Sequence, residues 1–287
     1  MSAPSLPFAL GGTPKRVLPG FGLSLGISLT FVSLMLLLPM TGLVGQLAGL
    51  SLAEYWAIIT DERVMASYIV TIGAAAVASI INAMFGLLLA WVLVRYEFPG
   101  KRLLDALMDL PFALPTAVAG ITLATLYSSN GWMGQLLEPL GFQVAYTWVG
   151  IALAMAFTSI PFVVRTVQPV LEDMPHEMDE AALTLGASDA SGFRRVILPH
   201  LWPALMTGTG LGFVRSLGEF GAIIFIAGNM PYQTEITSLM IFVRLQEYDY
   251  AGASAIASVI LFVSLALLFA INVWQGRFIK RLHGGHG

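Results

Sequence analysis

Long apolar segments alternate with shorter polar intervals along the chain of 287 residues. A helix needs about 20 mostly apolar residues to cross the ~30 Å hydrocarbon core of a membrane. Segments of this length predict an all-α, polytopic membrane protein with six transmembrane helices. The predicted helices cover residues 18–40, 68–94, 107–127, 147–167, 201–226 and 251–278.

The basic residues predict how these helices are oriented. Lys and Arg concentrate in the cytoplasmic loops of membrane proteins. With a cytoplasmic N-terminus, eleven of the fourteen basic residues fall in cytoplasmic segments, and the outer segments hold only Arg63 and Arg244. The sequence therefore predicts that both termini are cytoplasmic. The predicted parts are a tail at 1–16, one six-helix domain at 17–281 and a flexible tail at 282–287.

The last outer segment, residues 229–250, is amphipathic. Its apolar side chains recur at helical spacing from Ile236 to Leu245, which is typical of a helix with one buried face. We expect a re-entrant or surface helix that faces the outside.

The longest polar interval, residues 165–201, is expected to have a structure of its own. Connections between neighbouring helices usually take about 2–8 residues, and this interval is far longer. Pro175 suits a first helical position, and Gly186 suits the left-handed position that ends a helix. We predict one short helix between them and a second, capped by Ser188, that ends before Pro199. The alternative interpretation is an ordinary amphipathic helix at the membrane surface.

Two charged residues lie within the fifth predicted helix. Arg215 and Glu219 are four residues apart, which places them on one face of a helix where they can pair. Charges inside a membrane are costly and usually face a bundle interior or a polar cavity. Two interpretations stay open: a neutralised structural pair, or part of a pathway in which Arg215 contacts an anion and Glu219 keeps a gate closed.

Two prolines interrupt the third predicted helix. Pro111 and Pro115 have no backbone N–H, so each frees a carbonyl group and bends the helix. Broken helices expose backbone dipoles to the pathway in transporters, although a single proline can also be a simple packing kink. Pro115 and Thr116 are therefore candidates for lining a pathway.

Composition restricts the possible functions. Hydrophobic residues make up 57% of the chain and charged residues 11%, against about 25% charged in a soluble domain, so lipid surrounds most of the molecule. Gly100-Lys101 is the only Gly-Lys pair, and it lacks the other residues of a phosphate-binding loop. Any ATP must therefore be hydrolysed by a partner. The sequence also shows no catalytic set, no metal-ligand spacing and no nucleic-acid patch.

Several motifs resemble those of ATP-binding-cassette (ABC) importer permeases. Glu180-Ala181-Ala182, Gly186 and Leu198-Pro199 resemble the EAA loop of that family, within residues 171–200, although Val196 stands where isoleucine is usual. FALPTAVAG, RSLGEFGAIIFIAGN and TSLMIFVRLQEYDY are similar to sulfate/thiosulfate importer permeases, and to the T-type subunit in particular. RSLGEFGA is shared with molybdate/tungstate permeases.

The resemblance implies a type I importer permease fold with a cytoplasmic coupling helix that docks on a separate ATPase. It implies a bacterial inner-membrane complex of this chain, a second homologous permease, two copies of an ABC ATPase and a periplasmic sulfate-binding protein. ATP and Mg²⁺ bind the ATPase, so this chain is expected to hold no cofactor and no catalytic residue. The alternatives are a molybdate/tungstate permease and an ion-gradient-driven anion transporter. The expected ATPase-coupling residues are Glu180, Ala181, Ala182, Leu185, Gly186 and Pro199, and the expected pathway residues are Pro115, Thr116, Arg215, Ser216 and Glu219.

Overall fold

A computed structural model describes residues 20–175, 178, 184 and 186–283 of the chain. Every regular element in these ranges is a helix, in agreement with the all-α prediction. The chain divides between Gly49 and Leu50 into two units, and each is described by itself.

The first unit contains one long apolar helix, α1 (Phe21–Ala48). A π-helical turn at Ser33–Leu37 widens it just before Pro39, because proline has no N–H with which to continue the regular hydrogen-bond pattern. Nearly all of its side chains are exposed. The observed helix extends to Ala48, beyond the end of the predicted first span at residues 18–40.

A short helix, Leu52–Ile59, opens the second unit. Ser51 caps it, since its hydroxyl accepts a hydrogen bond from the backbone N–H of Glu54, and the Glu54 carboxylate accepts one from the backbone N–H of Ser51. This reciprocal arrangement fixes the helix start. The bond from the Ser51 backbone holds the pKa of Glu54 below its ordinary value.

Three helices form the core of the second unit and pack against one another. They are α2 (Glu62–Arg95), α3 (Trp148–Glu172) and α4 (Leu198–Leu217). Glycines allow their backbones to approach closely, as in other membrane bundles. Gly86 of α2 lies against Val163 of α3, and Gly208 of α4 lies against the backbone of Phe162 and Val163.

Two further helices of the second unit are α5 (Thr237–Gln246) and α6 (Tyr250–His283). The amphipathic helix predicted within residues 229–250 is confirmed by α5, which buries Thr237, Leu239 and Met240. Asp249 caps the start of α6, because its carboxylate accepts a hydrogen bond from the backbone N–H of Gly252.

The third and fifth predicted segments are broken rather than continuous. The third consists of three short helices, Lys101–Met108, Leu110–Ala113 and Thr116–Tyr127. The fifth is α4 followed by an irregular turn and the short helix Ile223–Ile226. In the described part of the chain, four helices are long and apolar enough to cross a membrane: Phe21–Ala48, Glu62–Arg95, Trp148–Glu172 and Tyr250–Gly276. Six crossings therefore remain a prediction.

The chain stays helical through Pro199, so the prediction that the second short helix ends before this residue is wrong. Asp189–Gly192 is α-helical, Phe193–Ile197 is a π-helical turn, and α4 follows directly. Pro199 cannot bond to the carbonyl of Arg195 four residues earlier, because it has no N–H. The π-helical turn contains Arg195, so the helix passes the proline by widening instead of stopping.

Candidate functional site

The break in the fifth segment brings Arg215 and Glu219 together. Arg215 lies in the last turn of α4, whereas Glu219 lies just beyond the end of that helix at Leu217. Arg215 Nη1 is 2.7 Å from Glu219 Oε2, so the predicted pair forms, although the two residues do not share one continuous helix. The two side chains differ in burial: that of Arg215 is 37% exposed and that of Glu219 only 1%.

Besides this ion pair, Glu219 makes three hydrogen bonds. Its carboxylate accepts one from the backbone N–H of Ala222 (3.1 Å), and its own N–H donates to the carbonyl of Ser216 (3.1 Å). Ser238 of α5 donates its hydroxyl hydrogen to the Glu219 carbonyl oxygen (2.8 Å). Both the backbone and the carboxylate of Glu219 are therefore fixed in the turn.

The two broken segments meet at this turn. Gly221 lies directly against the side-chain oxygen of Thr116, and Gly120 lies against the carbonyl of Ala222. Thr116 is the first residue of its helix and Pro115 is the residue before it, in an extended conformation. The structure thus places the predicted pathway residues Pro115 and Thr116 beside the turn that carries Glu219.

Ser216, the remaining predicted pathway residue, is buried on the other side of α4. Its hydroxyl lies 2.9 Å from the carbonyl of Gly212 and 3.2 Å from Ser159 Oγ. Ser159 also accepts a hydrogen bond from the Asn82 side chain (2.8 Å). In this structure Ser216 contributes to a buried polar contact among α2, α3 and α4, where satisfied hydroxyl and amide groups stabilise helix packing.

Sequence reasoning missed the side chains that anchor the third segment. Arg165 of α3 donates two hydrogen bonds to Asp109, at 2.8 and 2.7 Å, and one to Asp105 at 2.6 Å. A fork-shaped guanidinium suits this two-point contact with a carboxylate. The acidic spacing of Asp105 and Asp109, four residues apart on a helix, was a visible signal. Nothing in the sequence pairs them with a residue 56 to 60 positions away.

A second missed cluster ties the start of α5 to α2. The Arg63 guanidinium donates to both carboxylate oxygens of Glu235, at 2.8 and 2.7 Å. About two helical turns further along α2, Thr71 Oγ1 accepts a hydrogen bond from the backbone N–H of Thr237 (2.8 Å). Glu235 and Thr237 are both buried, so the first turn of α5 is firmly attached.

Most of the expected ATPase-coupling residues lie outside the described residues: Glu180, Ala181, Ala182 and Leu185. Gly186 is described, and its φ of 80° confirms the predicted left-handed conformation. It is exposed, and a Cβ atom there would meet no atom of the described residues within 4 Å. Pro199 is the second residue of α4. Between them, Phe193 makes an edge-to-face contact with Trp91 of α2 at 5.2 Å between ring centroids.

The family model for the binding-protein-dependent transport system inner membrane component matches residues 82–284. The chain belongs to this family and is therefore a non-catalytic membrane permease subunit of an ABC importer. Among curated relatives, it is 64% identical to the sulfate transport system permease protein CysT of Salmonella typhimurium, over 96% of this chain and 99% of the relative. It is 65% identical to the protein of the same name from Escherichia coli, over 94% and 98% of the two chains.

Among solved structures, the fold is similar to a chain in the crystal structure of a bacterial alginate ABC transporter in complex with an alginate pentasaccharide-bound periplasmic protein. The TM-score is 0.75 at 18% identity, over 90% of this chain and 94% of the other. At this identity the likeness describes the fold alone. A permease of this family works with a partner permease, an ATPase and a periplasmic binding protein. In the described ranges, no group of three or more His, Cys, Asp or Glu side chains is placed to hold a metal ion.

Proposed function

We propose that this chain is the permease subunit of an ATP-driven sulfate importer and forms half of the translocation pathway. It pairs with a second, homologous permease, binds two copies of an ABC ATPase on the cytoplasmic side, and receives sulfate from a periplasmic sulfate-binding protein. Both termini and the loop 171–200 are cytoplasmic. The 64–65% identity to sulfate transport permeases supports sulfate as the substrate.

The observation that carries this proposal is the position of the Arg215–Glu219 pair, which lies at the break in the fifth segment beside Pro115 and Thr116. Within the pair, Arg215 is 37% exposed while Glu219 is 1% exposed. A guanidinium has five N–H donors, and the nitrogen that lies 2.7 Å from Glu219 is Nη1. The exposed side of Arg215 is therefore suited to contact a passing anion.

Sulfate is a dianion, and its passage through a membrane needs groups that replace its water. Guanidinium groups match the spacing of oxygens in tetrahedral oxyanions and bind them with charge-assisted hydrogen bonds. Glu219 has the opposite charge and competes for the same cation. In the closed state Glu219 is paired with Arg215. Movement of the turn separates the pair and exposes Arg215 to the anion. No covalent chemistry is involved.

The ATPase drives this movement through the loop at residues 180–186. Closing of the ATPase dimer pulls on the coupling helix, and α4 transmits the displacement to Arg215, because the chain is helical from Asp189 to Leu217. ATP and Mg²⁺ bind the partner ATPase and supply the energy for the cycle.

Gly186→Val is expected to abolish uptake while membrane insertion stays normal. Gly186 has a left-handed φ of 80°, a conformation that costs most side chains ~1 kcal/mol and a β-branched side chain more. This cost is too small to unfold the protein but large enough to redirect the coupling helix. Glu180→Ala is expected to act in the same direction more weakly. Crosslinking between a cysteine at Ala187 and the ATPase measures docking. Normal docking with normal uptake in Gly186→Val would show that this loop is not the coupling element.

ATP dependence tests the proposed function itself. Right-side-out vesicles that contain the assembled transporter are depleted of ATP while the proton gradient is maintained, and sulfate uptake is measured with excess molybdate or tungstate as competitor. We expect uptake to stop without ATP and to resist the competitors. Continued uptake without ATP would support an ion-gradient-driven transporter, and strong competition would support a molybdate/tungstate permease.

A further inference from the structure

We propose that Ser238, at the start of α5, is a positioning residue that holds the Arg215–Glu219 pair closed. The residue is half-buried, and its hydroxyl reaches across from α5 to the turn after α4. This inference rests on the proposed function, because it assumes that the pair controls a pathway.

The start of α5 and the residues just before it are attached to the rest of the molecule at three points. Glu235 bonds to Arg63 at the start of α2, and Thr237 bonds to Thr71 two turns further along α2. Ser238 bonds to the carbonyl oxygen of Glu219 at 2.8 Å. Two anchors therefore fix α5 to the rigid helix α2, and the third transfers that rigidity to the turn.

The carbonyl of Glu219 needs this partner because it lies outside any regular helix. α4 ends at Leu217, and the next helix begins only at Ile223. A buried carbonyl without a hydrogen bond is costly, so loss of the Ser238 hydroxyl favours rearrangement of the turn. Phe220 contacts Phe242 of α5 at 5.2 Å between ring centroids, which is a second, weaker link between the same two elements.

The consequence is that the position of α5 sets the position of Glu219. When α5 is held on α2, the carboxylate stays beside Arg215 and the pathway is closed. When α5 shifts relative to α2, the turn moves with it and Arg215 is released. Ser238 thus acts through Glu219 and does not itself contact the anion.

The test is passive sulfate efflux from proteoliposomes that contain the assembled transporter, without ATP and without binding protein. Ser238→Ala is expected to raise this leak about fivefold. Loss of one hydrogen bond shifts the equilibrium between the closed and open states by about this factor. Ser238→Thr keeps a hydroxyl and is expected to restore a tight resting state. Ser258→Ala is the matched control, since it removes a half-buried hydroxyl from α6 that bonds to Tyr55 and to the Ala255 carbonyl. It should not leak.

A purely structural role for Ser238 would lower the amount of transporter without raising the leak per transporter. Glu219→Ala is expected to leak, and adding Ser238→Ala to it should raise the leak no further, because the carboxylate that Ser238 positions is already absent. If Glu219→Ala leaks but Ser238→Ala behaves like Ser258→Ala, the positioning role is wrong and the proposed gate stands. The positioning role is also wrong if Ser238→Ala raises the leak as much in the Glu219→Ala variant as it does in the wild type. If Glu219→Ala itself does not leak, the pair is not a gate and the positioning role fails with it, whereas the proposed sulfate import is tested separately by its dependence on ATP.

Discussion

Arg215→Ala is expected to reduce the amount of folded permease in the membrane far more than Glu219→Ala. Loss of Arg215 leaves a carboxylate that is only 1% exposed without its cation, and an uncompensated buried charge costs about 3–5 kcal/mol. Loss of Glu219 leaves a cation that is 37% exposed, far less buried than the carboxylate, so the cost is expected to be smaller. Quantitative blotting of membranes and the fraction of monodisperse protein in detergent measure the difference.

The double variant Arg215→Ala/Glu219→Ala should recover most of the folded protein that Arg215→Ala loses, because it removes the stranded charge. Arg244→Ala is the control for losing an arginine from a more exposed pair. Arg244 lies 3.4 Å from Asp249, and the two side chains are 32% and 38% exposed, so we expect little effect. Equal losses in Arg215→Ala and in the double variant would show that charge stranding is not the cause.

Gly120→Ala is expected to destabilise the protein by about 1–3 kcal/mol, the usual cost of overpacking. A methyl group at this position would overlap the backbone carbonyl of Ala222, and a backbone atom cannot turn aside as a flexible side chain can. The helix Thr116–Tyr127 would have to separate from the turn that holds Glu219. Thermal unfolding of the purified chain in detergent measures the loss.

Gly73→Ala provides the matched control for this substitution. Gly73 lies in the interior of α2, and a Cβ atom there would meet the Trp148 ring at 3.7 Å, an ordinary contact. Alanine is favoured over glycine in a helix interior by about 0.5–1 kcal/mol, so this variant should be as stable as the parent or slightly more so. A loss at Gly73 equal to that at Gly120 would contradict the close contact between the two broken segments.

Local rules predicted the features that depend on neighbouring residues. The break at Pro115 follows from the missing N–H and from the extended conformation that proline imposes on the residue before it, and Leu114 is indeed extended. The left-handed Gly186 and the amphipathic helix α5 were predicted for similarly local reasons. The four-residue spacing of Arg215 and Glu219 predicted their contact correctly.

Tertiary contacts decided what the sequence could not show. The apolar pattern of the fifth segment continues to residue 226, yet α4 ends at Leu217. The reason is that the Glu219 carboxylate takes the backbone N–H of Ala222 and Ser238 takes the Glu219 carbonyl, which replaces the helical bonds of the turn. Arg63 and Glu235 are 172 positions apart, and no periodicity links residues so distant along the chain.

Arg215 is proposed to contact sulfate during transport. The most direct measurement is the number of sulfate ions imported per ATP hydrolysed, in proteoliposomes with the complete transporter and sulfate-loaded binding protein. The wild type is compared with Arg215→Ala/Glu219→Ala, which carries no stranded charge. We expect the double variant to keep ATP hydrolysis that responds to the binding protein but to import about tenfold less sulfate per ATP, since it lacks a charge-assisted contact to the anion. An unchanged ratio of sulfate to ATP in the double variant would contradict the account and leave the pair a structural one.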